Sequence, residues 1–272
     1  MPGNTATSLY DENMVKKRVL TFSFLISVVF FGLLFQTAEG INSFDALNGN
    51  LFQEAVSKFN PSSQERVLIV FNSGGWGDTP VEEAEDFVSV VKGIQATLRE
   101  WGYSAVVVPY NRTKDNFLGR VEGVKEVVSS FQIQSKELAQ QIESFLENNP
   151  GTKVVMTGLS MGGTFVAETM KQLPPDFEVY AIEAGVPFWV ERLNSENILR
   201  LDNGQKDALA TGRIKTLIVA LIKAPAIWFT AKIRGENLTF AQAIAAPGHK
   251  YQWSSPEVGP KIVSFLKSRL AQ

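Results

Sequence analysis

Residues 153–172 read Lys153-Val-Val-Met-Thr-Gly-Leu-Ser-Met-Gly-Gly-Thr-Phe-Val-Ala-Glu-Thr-Met-Lys-Gln172. Lys153 to Thr157 is a short, β-prone apolar run, which suits a strand. Gly158-Leu159-Ser160-Met161-Gly162 follows, a G-x-S-x-G. Phe165, Val166, Met170 and Leu173 then recur at helical spacing. Strand, sharp turn and helix together are the setting in which a serine sits on a strained turn with its hydroxyl raised into a cleft. The glycines have a steric reason, because strand and helix pass so close beside the serine that any Cβ would collide. The pentapeptide alone arises readily by chance; its place between an apolar strand and an amphipathic helix gives it meaning.

Working outward, the same alternation continues. Arg66 to Phe71 is an unbroken apolar run bounded by polar residues, as expected of a strand buried on both faces. Val81 to Tyr103 has helical periodicity, with Asp78 or Thr79 as cap and Pro80 in the first turn. Ser104 to Tyr110 reads as the next strand. A helical pattern covers about 117–148, broken near Ser129-Ser130 and ended by Asn148-Asn149-Pro150-Gly151. Downstream, Glu178–Ala184 and Asn197–Leu201 read as strands, and Val258, Ile262, Phe265, Leu266 and Leu270 mark a final amphipathic helix. Strands alternating with helices predict an α/β fold, a mostly parallel sheet covered by helices on both faces. Ligands of such sheets bind at the carboxyl ends of the strands.

The composition fits one globular domain, residues 64–272, with 44% hydrophobic and 20% charged residues. A net charge of −2 gives no reason to expect nucleic acid as partner. Ahead of the domain, residues 19–35 are uncharged and almost wholly apolar, and Lys16-Lys17-Arg18 precede them. Seventeen residues span about 25 Å as a helix, near the lower bound for crossing a bilayer. The run reads as an N-terminal hydrophobic helix, either a signal anchor or a cleaved signal peptide, its length leaning toward the anchor. Residues 1–18 then form a cytoplasmic segment, 36–63 a linker and lead-in, and the domain lies on the non-cytoplasmic side, membrane-anchored or exported. The sequons at Asn111 and Asn237 matter only in a glycosylating pathway. With no cysteine and one histidine, the chain offers little to a transition metal, and no cofactor motif is present.

Three places besides the serine turn carry candidate chemistry. Asn72-Ser73-Gly74-Gly75-Trp76-Gly77-Asp78 follows the first strand, and successive glycines let backbone N–H groups turn toward an anion. His249 is the only histidine, so a histidine base has no other candidate, and imidazole suits proton transfer near neutrality. The carboxylates between serine and histidine include Asp202 and Asp207, in the turn after Asn197–Leu201, and Glu183, at the end of its strand.

On Gly158–Gly163, the loop Asn72–Gly77 and Gly248-His249, the chain resembles the α/β-hydrolase superfamily in its lipase and esterase branch, over roughly residues 64–270. The resemblance implies a serine hydrolase that cleaves carboxylic esters, of small molecules or lipids, through an acyl-enzyme. It implies Ser160 as nucleophile and His249 as base, since the order in this family is serine, acid, histidine. It implies an oxyanion hole from the N–H of Met161 and one from Gly74, Gly75 or Trp76. The family often has a histidine before its glycine run, where Asn72 and Ser73 stand here. By the same resemblance Asp207 is the first choice for the acid, Asp202 the second and Glu183 the third. A thioesterase, an acyltransferase and a non-catalytic membrane-associated binding protein share these features as alternatives.

One stretch stands apart. Ile214 to Ile222 is apolar but for Lys215, and after Lys223, Ala224 and Pro225 come Ala226-Ile-Trp-Phe-Thr230. The interior lysine and proline argue against a second membrane span. Its position between acid and histidine suggests a cap that lines an acyl pocket through Leu221, Ile227 and Trp228 and touches the membrane; one more core helix or strand is the other reading.

Overall fold

The computed structural model describes residues 48, 50–60, 63, 65–75, 77–112, 131–236, 238, 243 and 245–270. All belong to the unit Ile41–Gln272. The apolar run 19–35, Trp76, the first part of the 117–148 pattern and the sequon residues Thr113, Asn237 and Thr239 lie outside the described residues.

Five strands form one parallel sheet: β1 Arg66–Asn72, β2 Ser104–Pro109, β3 Thr152–Leu159, β4 Val179–Ala184 and β5 Ile198–Leu201, in spatial order β2-β1-β3-β4-β5. The helices are α1 Leu51–Lys58, α2 Val88–Glu100, α3 Gln132–Asn148, α4 Met161–Gln172, α5 Ala208–Thr211, α6 Ile214–Ile233 and α7 Gly259–Leu270. Each strand expected from the sequence is present, with ends that agree within two residues.

The β1 run is apolar throughout because both its faces are covered. Val67, Ile69 and Phe71 enter one core with Ile94 and Leu98 of α2 and Ile262 and Leu266 of α7. Leu68 and Val70 enter a second core with Leu138 and Ile142 of α3 and Phe165 and Val166 of α4. The side-chain period of two thus feeds both layers. Truncating any of these fully buried residues to alanine costs about 2–5 kcal/mol. The lead-in before residue 64 also contributes, since Ala55 of α1 and Phe59 just after it join the second core.

The chain leaves β1 for β2 on one side, then returns across β1 to build β3, β4 and β5 on the other. The order reverses between β1 and β3, and the crevice beyond their carboxyl ends is the ligand position of such sheets. Asn72 ends β1, Ser73–Gly75 follow it, and Ser160 follows β3.

Two elements differ from expectation. The 81–103 pattern is not one helix: Val81–Glu83 form a 3-10 turn, Ala84 breaks it at ψ 64, and α2 begins at Val88. The break swings Phe87 into the core against Phe71, with ring centroids 6.4 Å apart. It also frees the Asp86 carbonyl, which accepts the Tyr251 N–H at 3.0 Å instead of a helical bond. The stretch 214–233 is one continuous helix through Pro225. Pro225 is exposed, so water can take the carbonyl its missing N–H leaves free. As a core element the stretch is ruled out: only Ala224 and Ala231 of its twenty residues are buried.

Candidate active site

Ser160 occupies φ 57, ψ −117 between β3 and α4. A non-glycine residue there carries about 1–3 kcal/mol of strain, which the surroundings must hold. They do so through the backbone: Ser160 N–H donates to the Ala184 carbonyl at 2.8 Å, and its own carbonyl accepts from Thr164 N–H at 3.0 Å. The glycine requirement is visible atom by atom. A Cβ on Gly158 would lie 2.5 Å from the Gly162 carbonyl carbon and oxygen, and one on Gly162 would collide with the carbonyl oxygens of Asn72 and Ser73. The turn after β3 is therefore clamped against the loop after β1.

That loop is tied down by a residue the sequence did not point to. Arg112 is fully buried, and its Nη2 donates to Ser73 O at 2.6 Å and Gly75 O at 3.3 Å. Its guanidinium lies over the rings of Phe131 and Phe165, and burial pulls its pKa down to about 10, still far above neutrality. Gly77 N–H takes the Gly74 carbonyl at 3.1 Å. Three successive carbonyls are thus engaged, while Gly74 backs onto Ser160, the Cβ atoms being 3.8 Å apart were one built on Gly74. Gly75, at φ 56, has open space where a side chain would stand. Met161 is the first residue of α4, so its N–H belongs to the unsatisfied end of a helix.

The acid–histidine pair comes from two loops that interlock. Asp207 caps α5, its Oδ1 accepting from Leu209 N–H at 2.8 Å and Ala210 N–H at 3.1 Å. Its Oδ2 meets His249 Nδ1 at 2.8 Å and accepts the Tyr251 hydroxyl at 2.8 Å. Asp207 is completely buried, which by itself disfavours the carboxylate; the hydrogen bond and charge of His249, the Tyr251 hydroxyl and the Ala210 N–H outweigh that and hold its pKa below the ordinary value. Burial, then the Asp207 charge, push the Tyr251 phenol up, so it stays a donor. The His249 loop is fixed by Ala208 N–H to Pro247 O at 2.9 Å and by the Asn203 amide to Gly248 O at 2.9 Å. Gly248, at φ 80, leaves no room for a side chain against Lys206 and Asp207.

Gly185 joins this pair to the serine. It follows β4 at φ 59, and a Cβ there would lie 2.5 Å from His249 Cε1 and 2.8 Å from Asp207 Oδ2. Ala184, the residue before it, accepts the Ser160 N–H. Serine and imidazole are thus set against adjacent residues at one strand end.

The other two carboxylates do not meet His249. Asp202 accepts Gln205 N–H at 3.1 Å within its own turn. Glu183 is buried at the end of β4, in register with Arg200 of β5, and its Oε1 has no hydrogen-bond partner among the described residues. Burial pushes its pKa up to about 7, against the opposing charges of Arg200, Lys171 and Arg192. The native state therefore holds a proton that the unfolded chain has released between about pH 4.5 and 7, and stability falls with rising pH across that window. Glu183→Gln is expected to abolish this decline, raising stability at pH 8 by a few kcal/mol and little at pH 4.5. Urea unfolding of both proteins at the two pH values checks it, and parallel pH profiles would refute it.

No family model matches this chain, and no curated protein matches it. Among solved structures, a Trichoderma reesei cutinase in complex with a C11Y4 phosphonate inhibitor is 17% identical, with TM-score 0.30, over 57% of this chain and 71% of that one. A histone deacetylase from Saccharomyces cerevisiae is 13% identical, with TM-score 0.27, over 60% of this chain and 82% of that one.

Proposed function

We propose that this chain is a serine hydrolase of the α/β-hydrolase kind that cleaves carboxylic esters through an acyl-enzyme. The observation that carries the reading is the gathering of a strained serine and a half-buried histidine bonded to a buried aspartate at the ends of β3 and β4, where Ala184 holds Ser160 and Gly185 backs His249. In this reading Ser160 Oγ attacks the ester carbonyl carbon and His249 takes its proton. Asp207 keeps the Nδ1–H tautomer and stabilises the imidazolium without accepting the proton. The developing oxyanion is held by the N–H of Met161 and one from Gly74, Gly75 or Trp76. His249 then protonates the leaving alcohol, and water, deprotonated by the same imidazole, attacks the acyl-enzyme and frees Ser160. The substrate is a small-molecule or lipid ester, and residues 19–35 hold the chain at a membrane or direct its export, with the domain on the non-cytoplasmic side.

A fluorophosphonate probe, which phosphonylates activated serines, tests this. Full-length protein treated with the probe and digested is expected to carry the adduct on the peptide containing Ser160. Folded protein that stays unlabelled, or carries the adduct on another residue, overturns the reading.

A further inference from the structure

The helix α6 carries chemistry that ester cleavage does not use. Ile214, Ile218, Ile222, Phe229 and Ile233 recur at i, i+4, i+8, i+15 and i+19, which places them within one narrow arc of the helix. All five are exposed, Ile222 at 73%, Ile233 at 72% and Phe229 at 62%. The side that meets the protein carries the buried Ala224 and Ala231 and the half-buried Leu217, Leu221 and Trp228, while the five residues of the arc, with Val219 and Ile227 beyond it, face outward. An exposed apolar stripe of this length marks an interaction surface.

The charges say what it meets. Between Asp207 and Glu236 every charged residue is basic: Arg213, Lys215, Lys223, Lys232 and Arg234, in a chain whose net charge is −2. At 100° per residue Lys215 and Lys232 flank the two edges of the apolar arc, one at each end of the helix. Long lysine stems there can lie along apolar surface with their ammonium groups in a headgroup layer. We propose that α6 docks flat on an anionic lipid surface, its isoleucine and phenylalanine face entering the acyl boundary and its lysines pairing with lipid phosphates and carboxylates. The helix is long and apolar enough to cross a membrane. Crossing would place Lys223 near the bilayer centre and strip Ala224 and Ala231 from the protein, so the flat orientation is the favoured one. Docking here holds the candidate site at the surface. Asp207 caps α5, the chain turns at Gly212 (φ 70), and Arg213 N–H bonds Ala208 O at 3.0 Å as α6 begins.

The chain has no cysteine, so single labels are clean. Ile222→Cys and Phe229→Cys, with Lys136→Cys on α3 as control, are coupled to an environment-sensitive fluorophore in the full-length chain. Each is reconstituted with vesicles of phosphatidylcholine, alone or mixed with phosphatidylserine, containing lipids spin-labelled at shallow or deep positions. The expected result is quenching of both α6 probes by the shallow label on the anionic vesicles, with the control unquenched. Replacing Lys215, Lys223 and Lys232 together by glutamate is expected to lower the lipid-bound population of α6 by about a hundredfold, three basic contacts being lost. Deep quenching at Ile222 means a spanning helix and overturns the proposal. Emission that follows protein concentration rather than lipid means a second copy covers the face, and also overturns it. So do equal quenching on neutral vesicles and absence of quenching on either kind. The readout involves no turnover, so it stands or falls separately from the hydrolase reading.

Discussion

Asparagine in place of Asp207 is expected to lower kcat for the proposed ester hydrolysis by about four orders of magnitude, about 5.4 kcal/mol of transition-state stabilisation. The reason lies in the two oxygens. Oδ1 accepts only backbone N–H groups, and an amide oxygen can keep both of those bonds. Oδ2 accepts from His249 Nδ1 and the Tyr251 hydroxyl, and an NH2 group there faces donors with a donor. The imidazole must then present Nδ1 as acceptor, which places its proton on Nε2 and removes the base proposed for Ser160. Asp202→Asn, whose carboxylate only orders its own turn, is expected to leave kcat within about twofold, since a turn bond costs stability rather than chemistry. Steady-state kinetics on a chromogenic ester, with circular dichroism to show that each variant is folded, decide between the two aspartates. Equal small losses in both would remove Asp207 from the proposed triad.

Alanine at Gly185 is expected to lower kcat by about a hundredfold or more through misplacement of the imidazole, while KM changes little. The methyl would stand 2.5 Å from His249 Cε1 and 2.8 Å from both His249 Nδ1 and Asp207 Oδ2, too close for either side chain to stay where it is. The φ of 59 adds strain of about 1 kcal/mol for alanine. Gly102→Ala separates strain from collision, since Gly102 has φ 93 and nothing within 4 Å of a built Cβ. That variant is expected to lose a similar increment of stability and to keep its activity. If both variants were fully active, the packing of His249 on Gly185 would have no bearing on turnover.

The sheet was legible because its strands are local facts. Runs such as Val67–Phe71 and Val154–Met156 are apolar at every step, since both faces of an inner parallel strand are buried, and that pattern needs no knowledge of partners. The G-x-S-x-G turn was legible in part for the same reason: Gly158 answers to backbone at Gly162, only four residues away, although Gly162 itself answers to the distant Asn72 and Ser73. The 81–103 periodicity misled because it records which side chains are buried and not where the backbone bonds go. The Asp86 carbonyl leaves the helix for Tyr251, far along the chain.

Ser160 and His249, and the family they resemble, could be proposed from the sequence alone. Three carboxylates stood open between them, because nothing local separates a turn aspartate that is solvated from one that caps a helix, is buried and is bonded to an imidazole 42 residues away. Gly185 and Arg112 escaped notice altogether, since a glycine under a distant ring and an arginine reaching back 39 residues to Ser73 leave no mark in their own neighbourhoods. The sequence also showed that 214–230 is apolar, but apolar segments look alike whether they face a core or the outside. Sequence pattern thus determined the strands, the serine turn and the single histidine. Tertiary structure decided which acid meets that histidine and that α6 faces outward, because both depend on contacts between segments far apart in the chain.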